Sequence, residues 1–377
     1  MAARGRRRFD TYQPAGALRH YAGGCDKEPA VHGKGQEEVK DRAPTLAAKV
    51  VFLEDSASYA GAPAVEVRET HMSWVFLAGP HVYKLKKPVR FPYLDFSTLV
   101  RREAACRAEI RLNRRLAPDV YLGVEPLTRV DGRFAIGGDG EPVDWLVKMR
   151  LLDERNMLDA RIADGRLGVP QLDELAAVLA RFYRAAAPSF LSSAVHLADF
   201  ADSLAFNKRV LLDSSFNLPA GVVRRVDRAQ RRFLARHGDA IVMRMRHRRI
   251  VDGHGDLRPE HICLDHDVRI IDCIEFNPRL RTVDPFDEIA YLALECERLG
   301  AKWAGDYLQR RMKRLLRDGP AEALFTFYRC HRATLRARLA IAHLLERHPR
   351  TPEKWPKLAR AYLALAEEAA RKLEKMA

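Results

Sequence analysis

From Lys49 onward the apolar positions fall into short runs with polar breaks between them, at residues 50–53, 64–68, 73–77 and 81–86. Runs of this length bounded by turn residues predict strands, and Ala78-Gly79-Pro80 joins the last two into a hairpin. Over residues 98–116 the period lengthens. Leu99, Ala105, Ile110, Leu112 and Leu116 recur at helical spacing, and Pro118 stops the helix. Two further strands are predicted at 123–130 and 145–149, joined through Asp131-Gly132 and the glycine-rich 137–140. Strand, strand, helix, strand, strand describes a small α+β lobe.

After Arg150 the pattern is mainly helical, with 172–187 the clearest amphipathic stretch. A helix-poor interruption covers 250–284. Helices resume at Phe286 and run to the end, broken at Pro320 and around 349–356. No internal repeat is visible. The first 45 or so residues, rich in Gly, Arg, Ala and Pro, show no sustained apolar period and cannot offset their ordering entropy. The expected organisation is a disordered basic tail at 1–47, a small lobe at 48–150 and a helical lobe at 151–377.

Composition narrows the class. With 377 residues, 47% hydrophobic and 31% charged, the chain has an ordinary soluble composition. No stretch approaches the roughly 18–20 uncharged apolar residues that a membrane span needs, and residues 1–10 hold no apolar signal core. Six acidic residues in the tail fit poorly with a transit peptide, so a cytoplasmic protein is expected. The six cysteines form no Cys-x-x-Cys pair and read as reduced structural residues.

The formal charge of +15 raises an anionic partner. Ten arginines between Val222 and Ile250, against Asp227 and Asp239, give that segment alone +8. They recur at helical spacing around Val226, Phe233 and Leu234, which predicts a basic amphipathic helix, either a solvated face or a surface for anions. No recognition-module motif accompanies the charge, which disfavours nucleic acid.

Chemistry concentrates at His254-Gly255-Asp256-Leu257-Arg258-Pro259-Glu260-His261, followed by the apolar strand Val268-Arg269-Ile270-Ile271 and Asp272. One carboxylate on a loop and another at the end of the next strand suit phosphoryl transfer, which needs in-line geometry and neutralised phosphate charge. Asp256 is the candidate base for an acceptor hydroxyl. Asp272, sixteen residues on, is the candidate ligand for a magnesium bridging the phosphates. A lysine aimed at those phosphates is expected in the small lobe. Lys84, central in its strand, is preferred over Lys86 and Lys87, which suit an edge strand that discourages aggregation. Its acidic partner is Glu103 or Glu109 on the following helix.

These residues give the chain a resemblance to the aminoglycoside phosphotransferase and choline kinase group of protein-kinase-like enzymes. Within it the chain resembles an uncharacterised bacterial branch through Glu69-Thr70-His71-Met72-Ser73-Trp74-Val75-Phe76-Leu77, Val82-Tyr83-Lys84-Leu85-Lys86-Lys87-Pro88, Leu94-Asp95-Phe96-Ser97-Thr98-Leu99 and Ile271-Asp272-Cys273-Ile274-Glu275-Phe276-Asn277. The resemblance spans about residues 48–345. It implies a bilobal α+β kinase-like fold, with an antiparallel sheet in a small mixed N-lobe, a larger mainly helical C-lobe, and ATP with magnesium between them. By the same resemblance Lys84 matches the phosphate-binding lysine, Glu109 its helix partner, Asp256 the catalytic aspartate and Asp272 the metal-binding aspartate. Asp287 resembles a structural aspartate that steadies the catalytic loop. Arg258 stands where many protein kinases carry a lysine near the transferred phosphate, with a plain salt bridge as the alternative.

Three departures qualify what the resemblance implies. Where the family places an asparagine for a second metal, this chain has His261; Glu260 or Glu275 substitutes, or His261 holds manganese, or the second metal site is weak. There is no glycine-rich loop, and Thr70, His71 and Ser73 stand in its place as hydrogen-bond donors to phosphate or as a simple strand end. Relatives of the branch are sometimes fused to a P-loop kinase domain, but no Gly-x-x-x-x-Gly-Lys-Ser/Thr occurs here, so any activity would come from the kinase-like domain.

The leading expectation is an ATP-dependent kinase acting on a hydroxyl of a small molecule. The alternatives are a nucleotide-binding pseudokinase and an anion- or nucleic-acid-binding protein that uses the arginine segment. Arg332, Arg336 and Arg338 on one helix favour an anionic acceptor, unless that helix is a basic face turned to solvent. The acceptor and the oligomeric state are not legible.

Overall fold

The computed structural model describes residues 43–376, apart from 346–348 and 350. The expected tail lies outside the described residues as far as residue 42. Internal contacts divide the described chain into two units, one of residues 43–110 and 119–151, the other of 111–118 and 152–376.

The smaller unit opens with helix α1 (Leu46–Glu54), where the run Val50-Val51-Phe52-Leu53 had suggested a strand. A four-residue apolar run carries no period that separates the two. The Thr45 hydroxyl accepts from the Ala48 amide and caps the helix, while Val51 faces solvent and Val50 and Leu53 pack on Phe76, Leu85, Leu127 and Leu146. Strands β1 (Val65–Glu69), β2 (Ser73–Ala78) and β3 (His81–Lys86) follow. Next come a small ribbon of β4 (Arg90–Phe91) with β5 (Leu94–Asp95), helix α2 (Leu99–Asn113), and strands β6 (Tyr121–Val130), β7 (Arg133–Ile136) and β8 (Glu141–Arg150).

The main sheet is antiparallel in the order β1-β2-β3-β8-β6-β7. The pattern did not predict β7. It pairs with β6 across Asp131-Gly132, both at positive φ (47° and 81°), as a two-residue hairpin turn requires. β3 lies inside the sheet between β2 and β8, so Lys84 and Lys86 are not edge residues.

The larger unit is helical. Helices α3 (Leu158–Ala163), α4 (Val169–Ala185), α5 (Ser193–Leu211) and α6 (Ala220–Arg246) precede the irregular segment. That segment contains β9 (Val251–Asp252), β10 (Ile262–Leu264), β11 (Val268–Ile270), α7 (Pro278–Arg281) and β12 (Thr282–Val283). Helices α8 (Pro285–Arg298), α9 (Lys302–Leu316), α10 (Glu322–Ala342) and α11 (Lys354–Met376) complete the unit. Its core gathers Leu179, Phe233, Phe286, Leu294 and Phe327 around α8, which is buried from Pro285 through Cys296. The predicted basic helix is α6. Val223, Val226, Phe233 and Ile241 turn inward, while Arg224, Arg228, Arg232 and Arg236 are exposed.

Arg332, Arg336 and Arg338 of α10 are all buried, which overturns the solvent-facing reading of that helix. Arg332 pairs with Asp287 at 2.6 Å, and Arg336 pairs with Glu295 at 3.0 Å. No helix among the described residues is long and apolar enough to cross a membrane. The five described cysteines form no disulfide among themselves and are buried.

His331 of α10 is buried, its Nε2 2.9 Å from the Ser203 hydroxyl, and burial pulls its pKa down to about 4. The folded protein therefore holds it neutral, while an unfolded chain takes up its proton below pH 6.5. The difference costs on the order of 3 kcal/mol of stability as pH falls from about 6.5 to about 4. Thermal unfolding between about pH 7.5 and 5 is expected to show this decline, and His331→Gln to lessen it. An unchanged slope in the variant would remove His331 as its source.

Candidate active site

The segment between β9 and β10 is fixed by its backbone before any side chain acts. Gly253 has no room for a Cβ, which would meet Val283 Cγ2 at 2.5 Å and Glu288 Oε2 at 2.7 Å. Gly255 sits at φ +89°, a conformation that favours glycine. The amides of His254 and Gly255 both donate to the buried Glu288 carboxylate, which also accepts from Tyr183 Oη at 2.9 Å. Burial raises the Glu288 pKa, and these three donors oppose the rise. Arg115 anchors the loop's entry, donating to the carbonyls of Asp252 (3.0 Å) and Gly253 (2.9 Å).

On this frame Asp256 is almost fully buried. Its Oδ1 accepts from Tyr291 Oη and its Oδ2 from Arg258 Nε, each at 3.1 Å. Burial lifts the Tyr291 pKa well above the usual phenol value, so the hydroxyl remains a donor. Arg258 is fully buried and also reaches Glu260 at 2.7 Å, so it is built into an ion-pair cluster. Burial alone would raise the Glu260 pKa, but the charge of Arg258, helped by that of Arg336, outweighs it and holds the pKa low.

Asp272 follows β11 with its side chain about a quarter exposed and its backbone at φ +62°. A non-glycine residue held there is strained, and its neighbours are pinned. Ile271 N donates to His261 O (2.9 Å), Ile271 O accepts from His254 Nε2 (3.0 Å), and Cys273 N donates to Asn113 Oδ1 (2.8 Å). His254 Nδ1 in turn accepts from the Asp256 amide at 3.2 Å, so one imidazole ties the two carboxylate segments together. Burial lowers the His254 pKa to about 3, which keeps that ring neutral.

His261, expected as a metal ligand, has both ring nitrogens engaged by protein groups: Nδ1 with Asp256 O at 2.9 Å and Nε2 with Arg258 Nη2 at 3.1 Å. Its Nε2 lies 3.6 Å from Asp272 Oδ2, beyond hydrogen-bond reach. Asp287, expected to steady the loop, instead binds Arg332, and its neighbour Glu288 grips the loop amides.

In the smaller unit Lys84 Nζ lies 2.9 Å from Glu109 Oε1, and Lys86 Nζ lies 2.6 Å from Glu109 Oε2. Alternation along β3 puts both lysines on one face, and they share one carboxylate. The Lys84 side chain keeps 15% exposure against 1% for Lys86, so Lys84 is the one presented to solvent. Glu103, the other option on α2, pairs with Arg107. Of Thr70 and Ser73, expected as phosphate donors, Thr70 turns its hydroxyl to the Ser73 backbone and closes a turn there. The Thr70 hydroxyl donates to Ser73 O and accepts from Ser73 N, both at 3.0 Å, and Lys87 closes the same corner on Glu69 and Thr70 O.

Sequence reasoning missed Glu288, Tyr291, Asn113 and Arg115. For the first two a signal existed. Asp284, Asp287, Glu288, Tyr291 and Glu295 recur at three to four residues along an otherwise apolar helix, and so many polar groups on one buried face must be bonded. Asn113 and Arg115 act at long range and leave no local mark.

Asp272 offers the hard oxygen donor that magnesium prefers. Among the described residues no group of three or more His, Cys, Asp or Glu is placed to hold a metal ion.

No family model matches the chain. Uncharacterised proteins of Mycobacterium tuberculosis and Mycobacterium bovis are 34% identical to it over 290 residues, covering 76% of this chain and 57% of theirs. The chain thus spans little more than half the length of these curated relatives. Among solved structures, choline kinase from Cryptosporidium parvum superposes with a TM-score of 0.52 at 9% identity, covering 87% of this chain and 97% of that one. A choline/ethanolamine kinase family protein of Mesorhizobium loti gives 0.47 at 15% identity, covering 83% and 94%. The chain has the choline kinase-like fold.

Proposed function

We propose that this chain, built on the choline kinase-like fold, is an ATP-dependent phosphotransferase whose acceptor is a hydroxyl of a small molecule. The observation that carries the reading is the loop from His254 to Asp272. It buries one carboxylate between two hydrogen-bond donors and leaves the second partly exposed on a strained, pinned backbone. Strain of that kind persists only where the surroundings over-determine it, and it concentrates at functional sites.

In this reading Asp256 orients the acceptor hydroxyl and takes its proton, Asp272 holds magnesium, Lys84 neutralises the nucleotide phosphates, and Glu109 aims Lys84. Bound magnesium supplies charge neutralisation at the phosphates. Tyr291 and Arg258 fix the direction of the Asp256 carboxylate, so little reorganisation is needed when the hydroxyl arrives. Arg332 and Arg336 are committed to Asp287 and Glu295, which withdraws the support that α10 gave to an anionic acceptor.

Titrating the protein with ATP and with ADP, in magnesium and in manganese, tests the reading. Metal-dependent binding is expected, with slow phosphate release, and Asp272→Ala is expected to weaken metal-dependent binding by tenfold or more, the scale of about 1.4 kcal/mol. Failure of the unmodified protein to bind either nucleotide with either metal would overturn it.

A further inference from the structure

Two imidazoles hold the backbone of Asp256, one at its N–H and one at its carbonyl. His254 Nδ1 accepts from its N–H, and His261 Nδ1 lies 2.9 Å from its carbonyl oxygen. The far nitrogen of each ring is also committed, His254 Nε2 to Ile271 O and His261 Nε2 to Arg258 Nη2.

These partners fix the tautomer of His261. A guanidinium has donors only, so Nε2 must present its lone pair to Arg258; Nδ1 then carries the hydrogen and donates to Asp256 O. A metal at Nε2 would need the lone pair that Arg258 occupies. Arg258 is fully buried, and through Nε and Nη1 it also holds Asp256 and Glu260. Releasing it to admit a cation would break one of the bonds that hold a buried guanidinium and set that charge beside the ion, and magnesium favours oxygen donors over imidazole in any case.

We infer that His261 is a positioning residue: from Nδ1 it fixes the backbone of Asp256 and from Nε2 the guanidinium of Arg258, and it ligates no metal. The inference rests on the role given to Asp256 above. His254 sets the loop's distance to Asp272, and His261 sets the direction of the Asp256 carboxylate through Arg258. Removing the His261 ring takes away its bonds to the Asp256 carbonyl and to Arg258 Nη2.

The test combines readouts that do not depend on turnover with one that does. Nitrogen NMR of the full chain is expected to show His261 as the neutral tautomer protonated at Nδ1. The manganese–ADP complex of the unmodified protein is expected to lack imidazole nitrogen coupling in pulsed EPR, and manganese affinity is expected to be equal in His261→Ala. ATP turnover in His261→Ala is expected to fall about tenfold to a hundredfold with the KM for ATP unchanged. His261→Asn, whose amide can replace the Nδ1 donor, should recover most of that loss. Nitrogen coupling that disappears in His261→Ala, or an Nε2-protonated ring, would overturn the inference. If the unmodified protein turns over no ATP, the proposed function fails, and the tautomer and EPR readouts still decide the part played by His261.

Discussion

Asp256→Asn is expected to lower phosphoryl transfer by about 10²–10⁴-fold while leaving nucleotide binding within a few-fold of the unmodified protein, because general-base assistance is worth roughly that factor. The substitution keeps shape and burial and removes the ability to take a proton. It also carries a structural cost that must be measured beside the rate. Both Asp256 oxygens accept from fixed donors, Tyr291 Oη and Arg258 Nε, so an amide NH₂ at that position must face one of them. Mispairing a buried donor in this way costs about 1–3 kcal/mol, visible as a lower Tm. Single-turnover assays well below that Tm separate the two effects. Transfer near the unmodified rate in a folded Asp256→Asn protein would remove Asp256 from the chemistry and move attention to the partly exposed Asp272.

The sequence revealed the elements with long or regular patterns and concealed those set by contact. α2 and the basic α6 were readable from periodicity, because each keeps helical spacing over enough residues to exclude the other period, and β3 was readable as a short run bounded by turn residues. α1 was misread because four apolar residues fit either period, and the deciding feature was a cap at Thr45. Within the candidate site, the carboxylates and lysines were visible because their chemistry needs those residue types. The pairings were not. Nothing local distinguishes Glu109, which takes two lysines, from Glu103, which pairs with Arg107. Nor does sequence show that the Thr70 hydroxyl is spent on the Ser73 backbone, or that Arg332 and Arg336 lie inside the protein against Asp287 and Glu295. Buried charges are rare, so a basic helix read by frequency alone is placed in solvent.

Glu109→Gln is expected to destabilise the protein by about 3–5 kcal/mol, the cost of removing one partner from a buried ion pair. The two lysines would respond differently. Lys84 keeps partial exposure and can turn its ammonium toward water, whereas Lys86 is closed in beside the Phe96 ring, its Nζ 4.9 Å from the centroid. Most of the penalty should therefore come from Lys86, and Lys86→Met in the Glu109→Gln background is expected to restore much of the lost Tm. The double variant should still bind nucleotide weakly, because Lys84 remains without the carboxylate that aims it. Chemical denaturation of the four proteins in the cycle, with ADP titrations alongside, separates the two roles. A Glu109→Gln protein as stable as the unmodified one would mean that Lys86 sheds its proton or finds water without difficulty. In that case the shared carboxylate orients Lys84 and has no further structural duty, and nucleotide affinity alone should fall.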